Sequence, residues 1–313
     1  MSYRFTREDA SLEAGLRRVA CDQLDRALAE ADDASSFDET VHAVRKRCKK
    51  LRGLVRLVRP AFAGYRRENA ALRDAARLLA PVRDAAAAIE TFDGLMAHFA
   101  DEVDEAAFAE LRAWLVERHR LGRAEIDAAG ALADTRARLA AVRERAGGWA
   151  LDTGGFDAAA GGLAKTHRRA VKAMKRARKD GDAARMHAWR KRVKYHWYHA
   201  RLLNGCWPKA MKAHARAAHA LSDRLGDHHD LAVLAETLGL AASPPPETGL
   251  DDRARREAFA GLLARRQAGL AADAFALGDM LLAEETDALV ARWAGYWAAW
   301  RRHHGRAVHG LAA

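Results

Sequence analysis

Two stretches decide the reading: VHAVRKRCKKLRGLVRLVR at residues 41–59 and MHAWRKRVKYHWYHARLLN at residues 186–204. In the first, Val41, Val44, Cys48, Leu51, Val55 and Val58 recur at steps of three and four, the signature of one buried face of an α-helix. His42, Arg45, Lys49, Arg52 and Arg56 keep the same steps on a neighbouring stripe, about 100° around the axis. The second stretch repeats this with His187, Arg190, Lys194 and Arg201, and places Trp197 where the first copy has Arg52. Upstream of it, Lys165, Arg168, Lys172, Lys175 and Lys179 form a third basic stripe at helical spacing. Arg47, Lys46, Lys50, Lys191 and Arg192 fall off these stripes and read as solvated helix surface.

The charge of the whole chain is organised around these segments. Residues 42–59 hold eight Lys/Arg and no acid, and residues 165–201 hold fourteen against Asp180 and Asp182. Together they carry +20 in a chain of net charge +11, so everything else is acidic overall, at −9. Like charges three and four residues apart on a helix repel by a few tenths of a kcal/mol per pair. Segregation on this scale points to a polyanionic partner.

The 313 residues are half apolar, with six prolines and a high alanine content, which favours helix over strand. No stretch has the length and apolarity of a membrane span or a signal peptide. Cys21, Cys48 and Cys206 are far apart and form no CxxC pair, so neither a disulfide framework nor a thiolate zinc site is indicated. These features fit a cytoplasmic protein. Breaks at GGWALDTGG (147–155) and ASPPPETGLDD (242–252) punctuate the chain, and sliding one half over the other at the first break exposes an internal repeat. The register continues past the basic helices, with LAPVRDAAAAIETF (79–92) lying over LGDHHDLAVLAETL (225–238).

The H-x-x-R-x-x-x-K helix, present twice and followed each time by an L-[AG]-x-x-x-D turn, resembles the conserved histidine α-helical domain (CHAD) family. The resemblance runs from about residue 5 to the aromatic helix WAGYWAAWRR. It implies an all-α fold: two pseudo-symmetric four-helix bundles forming one CHAD domain with a central basic channel. The whole of 1–313 is then a single domain, made of a first repeat at 5–146 and a second at 156–310. It also implies non-catalytic binding of inorganic polyphosphate in that channel, with recruitment to polyphosphate granules. His42, Arg45, Lys49, Arg52, Arg56, His187, Arg190 and Lys194 match the two motifs, Arg83 and Asp84 match the first-copy turn, Asp230 is the counterpart, and Tyr198 matches a tyrosine common after the second motif. Trp197 departs from the usual arginine. The predicted polyphosphate-binding set is completed by Lys165, Arg168, Lys172 and Arg201. No metal or organic cofactor is expected, and no E-x-E-x-K strand of a tunnel-type triphosphatase occurs.

Two other readings compete. Asp227, His228, His229 and Asp230, with His214 and His219 nearby, are ligand types for a metal-dependent phosphohydrolase, but the first copy has Pro81, Val82, Arg83 and Asp84 at the equivalent positions. Tyr195, Trp197 and Tyr198 among basic residues could stack on nucleic-acid bases. Packing between helices is the simpler reading for them, as it is for Trp189, Trp293, Trp297 and Trp300.

Overall fold

The computed structural model describes residues 3–32, 37–125, 128–240 and 252–303, apart from the side chains of 80–85 and 123–128. The expected break at 242–252 therefore lies, Asp252 excepted, outside the described residues, and so do the side chains of Arg83 and Asp84. The elements are α1 (Leu12–Asp32), α2 (Phe37–Leu57), α3 (Tyr65–Leu78), α4 (Ala80–His98), a 3-10 turn (Glu105–Phe108), α5 (Ala109–Glu125), α6 (Ala128–Ala146), α7 (Asp157–Asp180), α8 (Ala183–Leu202), α9 (Pro208–Thr237), α10 (Arg253–Leu281) and α11 (Thr286–Arg302). The described residues contain no strand, and the all-α expectation holds.

Local chemistry sets the ends of the helix that carries the second motif. Gly181 closes α7 in the left-handed conformation (φ 63°), open to glycine at no steric cost. Asp182 then caps α8, its carboxylate accepting from the backbone N–H of Ala184 and Arg185. Pro208 sits in the first turn of α9, where its missing N–H leaves no hydrogen bond unmade.

Helices α1, α2, α3 and α6 pack in a closed ring, and α7 through α10 pack in sequence, with α11 against α7. The two halves are also joined through a shared core. In the first half α3 ends at Leu78 and α4 restarts with Pro81 in its first turn, whereas the repeat-equivalent position in the second half, Asp227, lies inside the unbroken 30-residue α9. The α4–α5 pair folds onto the distal halves of α9 and α10, and Phe92, Leu95, Phe108 and Leu111 meet Leu231, Leu234, Phe259 and Leu263 there. Phe92 and Phe259 stack at 5.9 Å. One further core lies between α7, α8, α9 and α10 around Trp189, and the largest joins the first ring to α8, α7 and the tryptophans of α11.

Helix α2 is held by two close crossings. A Cβ on Gly162 of α7 would overlap the Leu57 carbonyl, and one on Gly53 would stand 2.8 Å from Tyr198 Cβ on α8. Gly53 and Tyr198 occupy the same position of the two repeats, so the motif helices meet small residue against large. Beside this crossing His199 Nε2 lies 3.1 Å from the Gly53 carbonyl oxygen.

Candidate functional site

Because α2 and α8 touch at Gly53 and Tyr198, their basic faces open onto one cleft of about 900 Å³, closed on its far sides by α4 and α9. Eight of the twelve predicted residues line it: His42, Arg45, Lys49 and Arg52 from α2, and His187, Arg190, Lys194 and Arg201 from α8. Lys46, Lys50, Lys191 and Arg73 line it as well. Among the described side chains the lining thus holds ten Lys/Arg against one carboxylate, Asp230. Lys46 and Lys191 are exposed as expected yet line the cleft, and the expectation that Lys50 is solvated surface is corrected, since it is buried. The cleft face of α2, from Arg52 round to Lys50, spans about 160° of arc at 3.6 residues per turn, wider than a single stripe. Four-residue steps from His42 to Lys46 to Lys50, and from His187 to Lys191, carried that signal in the sequence.

The other four predicted residues lie elsewhere. Arg56 sits past the crossing, its guanidinium 4.3 Å from the ring centroid of Tyr195. Lys165 is lowered from the ordinary lysine range by Arg59 and Arg169, so it belongs to a separate basic group on the α2–α7 side. Arg192, read as surface, is half-buried in that group, its guanidinium disfavoured by burial and then by Arg169 and Arg56. Arg168 faces Asp287 of α11 at 3.3 Å, and Lys172 is exposed. The reason is the orientation of α7, which buries Leu163, Ala170, Met174 and Ala177. Positions 165, 168 and 172 fall about 140–220° from that stripe and face away from it. Arg47, expected on the solvated surface, is largely covered, its guanidinium held by Glu30 at 2.5 Å and Gln23 at 3.2 Å.

Inside the cleft the cations constrain one another. Burial, then Arg47, Arg201 and Lys46, bring Lys50 down to about 8. Burial, then Arg190 and Lys46, lowers Lys194 against the opposing pull of Asp223. Arg52 is also disfavoured in its charged form, first by burial, and its Nε donates only weakly, at 3.4 Å, to Asn69. Arg45 Nη1 is fixed by the Ala76 carbonyl at 2.6 Å. Arg190 reaches Asp230 at 3.7 Å and lies in a notch of α9 opened by Gly226, where a Cβ would stand 3.0 Å from Arg190 Nη2. Gly226 and Asp230 are the glycine and aspartate of the L-G-x-x-x-D turn, which thus shapes and faces the arginine of the motif.

His187 stacks on His229 at 3.7 Å. Burial, then His229, Lys191 and Arg190, holds His187 down to about 3, so it is neutral throughout the physiological range. The Asp227–Asp230 turn disperses around α9: His228 is buried, its carbonyl accepting from Gln267 Nε2, while His229 and Asp230 reach the cleft. Among the described residues no group of three or more His, Cys, Asp and Glu side chains is placed to hold a metal ion. The aromatic residues divide. Trp189, Tyr198, Trp293, Trp297 and Trp300 are buried, whereas Tyr195 and Trp197 are half-buried and line the cleft. Lys194 Nζ and the Arg201 guanidinium lie 4.6 and 5.1 Å from the Trp197 ring centroid.

The sequence model of the CHAD domain matches residues 17–239, a span that contains both motif helices and both turns. The chain belongs to the CHAD domain family. A crystal structure of the CHAD domain from the plant Ricinus communis shares the fold, with a TM-score of 0.59 at 22% identity, over 86% of this chain and 92% of that one. No curated protein matches the chain. In this CHAD domain the three cysteines are free thiols, and among the described residues no helix is long and apolar enough to cross a membrane.

Proposed function

We propose that the cleft binds inorganic polyphosphate and that the domain performs no chemistry on it. The observation that carries this reading is ten Lys/Arg side chains converging from the two motif helices and α3 on one cavity, with a single carboxylate among the described residues to offset them. Cations held this close, several of them pushed toward the neutral form, form a site whose most favourable occupant is a dense line of negative charge. Polyphosphate carries a charge on every unit and has no bases to be read. Guanidinium forks and mobile ammonium groups would hold it by charge-assisted hydrogen bonds without a fixed register. A bundle cleft walled by helices on several sides suits a thin flexible chain better than a rigid duplex. Retention at polyphosphate granules would follow from such binding alone.

The test is a gel-shift titration against polyphosphate at several salt concentrations, with heparin, single-stranded RNA and duplex DNA as competitors. Binding should weaken steeply with salt and resist the competitors at equal charge concentration. The combined substitution R45A/K49A/R190A/K194A should abolish it while leaving the helical circular-dichroism spectrum intact. A folded quadruple variant that still binds refutes the site, displacement by RNA or DNA moves the ligand class to nucleic acid, and orthophosphate released from the polymer would make the protein an enzyme.

A further inference from the structure

A second cavity, of about 580 Å³, adjoins the cleft between the N-terminal segment at Tyr3 and Arg4, the end of α8 and the first half of α9. Trp197, Arg201 and His219 belong to the walls of both. The dividing wall is largely the Trp197 indole, with Lys194 over it, Arg201 serving both cavities, and the His219 ring at 4.3 Å. Beyond it lie Arg4, Lys212 and Arg216, the last two one helical turn apart on α9.

The second cavity is itself basic, with Arg4, Arg201, Lys212, Arg216 and Arg224 in its walls against Asp223. Several arginines on the outer faces are matched with acids, as in Arg136–Asp32 and Arg143–Asp25 at 2.6 Å and Arg265–Glu102 at 2.8 Å. Within the cavity Asp223 is engaged by His219 at 2.6 Å, and Arg224 faces Asp273 at 3.5 Å. Among the described residues Arg4, Lys212 and Arg216 have no carboxylate partner. Unmatched cations, a cavity to hold a ligand and a wall shared with the main cleft coincide here.

We infer that this cavity is a second polyanion subsite, continuous with the cleft over Trp197, so that a long phosphate chain runs from the motif helices onto α9. The inference rests on the reading of the cleft as a phosphate-chain site. A flexible anhydride chain can bend over the indole, with Lys194 on the near side and Arg201 reaching both sides, and an oligophosphate short enough to fit the cleft has no need of the second cavity. The subsite therefore acts as a selector for chain length.

The variant K212A/R216A in the full chain changes two exposed side chains remote from the motif rows. Affinity for tripolyphosphate and for long-chain polyphosphate is measured by titration calorimetry across a range of salt. Long-chain affinity should fall roughly 2- to 30-fold for the two charges, and its log–log salt slope should drop by about one to two. Tripolyphosphate affinity should not change, and the charge-conserving K212R/R216K should restore long-chain binding. An equal loss for both ligands would mean a diffuse field effect and would overturn the subsite, as would unchanged long-chain affinity. Failure of the unmodified chain to bind either ligand sinks the cleft reading together with this one, whereas normal long-chain binding by both proteins sinks this one alone.

Discussion

The crossing of α2 and α8 can be broken with a single carbon atom. Replacing Gly53 by Ala puts a methyl group 2.8 Å from Tyr198 Cβ and 2.9 Å from its Cδ2, distances that no repacking of a side-chain tip relieves, since Cβ is fixed to the α8 backbone. An alanine in a helix interior is otherwise favourable by about 0.5–1 kcal/mol over glycine, and overpacking a tight contact costs about 1–3 kcal/mol. The net expectation is a loss of up to about 2.5 kcal/mol. Gly94 of α4 supplies the control: it is an exposed helical glycine with nothing within 4 Å of a built Cβ, so G94A should gain about the propensity term alone. The two variants should then differ by about 1–3 kcal/mol, read as opposite shifts of the urea midpoint. G53A should also weaken polyphosphate binding, because pushing α8 off α2 separates the rows of Arg45 and Lys49 from those of Arg190 and Lys194, while G94A should leave it alone. A G53A protein as stable as G94A would refute the crossing as the element that sets the width of the cleft.

Three further outcomes are expected. Burial, above all, keeps His196, His199 and His214 neutral in the folded protein, with His199 held down to about 3 and His214 to about 4, and His196 well below the ordinary value of 6.5. The unfolded chain takes up protons at these positions and the folded one does not. Stability is therefore intact above pH 6.5 and lost as pH falls toward 3–4, at up to about 2 kcal/mol per histidine by pH 5; an unchanged Tm between pH 7 and 5 would contradict this. Burial above all holds Lys50 down to about 8, and a bound phosphate would raise it, so affinity should be full below pH 8 and decline as pH rises above it. Substituting Lys50 by Arg should flatten that decline, and an equal slope in K50R would exclude Lys50 as its source. Replacing Gly226 by Ala should leave the Tm unchanged or raised, because the clashing atoms are the movable end of Arg190, yet reduce affinity severalfold by shifting that guanidinium; unaltered affinity would show that the notch in α9 does not position it.

The sequence made the motif helices legible because a period of three and four fixes which residues share a face, and a core stripe fixes where the rest of that helix must point. Val41, Val44 and Cys48 are fully buried, and His42, Arg45 and Lys49 line the cleft beside them. The same reasoning failed on α7. Lys165, Arg168 and Lys172 do share a face, but periodicity alone does not say what lies opposite it, and that face turns from the core toward solvent and Asp287. It also underestimated how wide a cleft between crossing helices is, so Lys46, Lys50 and Lys191 were set too far out. The shared core of α4, α5, α9 and α10 depends on an unbroken α9, and an absence of proline opposite Pro81 is a weak signal. Arg4 was beyond reach, since it joins Lys212 and Arg216 only through the return of the N-terminal segment, where Phe5 N–H donates to the Leu202 carbonyl.

These observations also explain why so costly an arrangement holds together. Half-buried like charges favour separation of α2 and α8, opposed within the basic faces by Arg56 of α2 lying over the Tyr195 ring of α8 at 4.3 Å. Further opposition comes from elsewhere: Gly53 under Tyr198, Gly162 against the Leu57 carbonyl, and apolar cores that bury Trp189 on one side and Leu51, Leu54 and Val55 on the other. Uncharged groups add polar contacts at the seam, the Tyr3 hydroxyl donating to the Lys50 carbonyl at 2.7 Å and His199 lying beside the Gly53 carbonyl. Carboxylates are plentiful on the outer faces, where they pair with arginines, and among the described residues Asp230 alone lines the cleft. A fold selected for stability alone would have placed some of those acids between the two basic rows. On the reading proposed for the cleft, an anion that binds there relieves repulsion the folded state already carries, so part of its binding free energy is stored in the protein before it arrives.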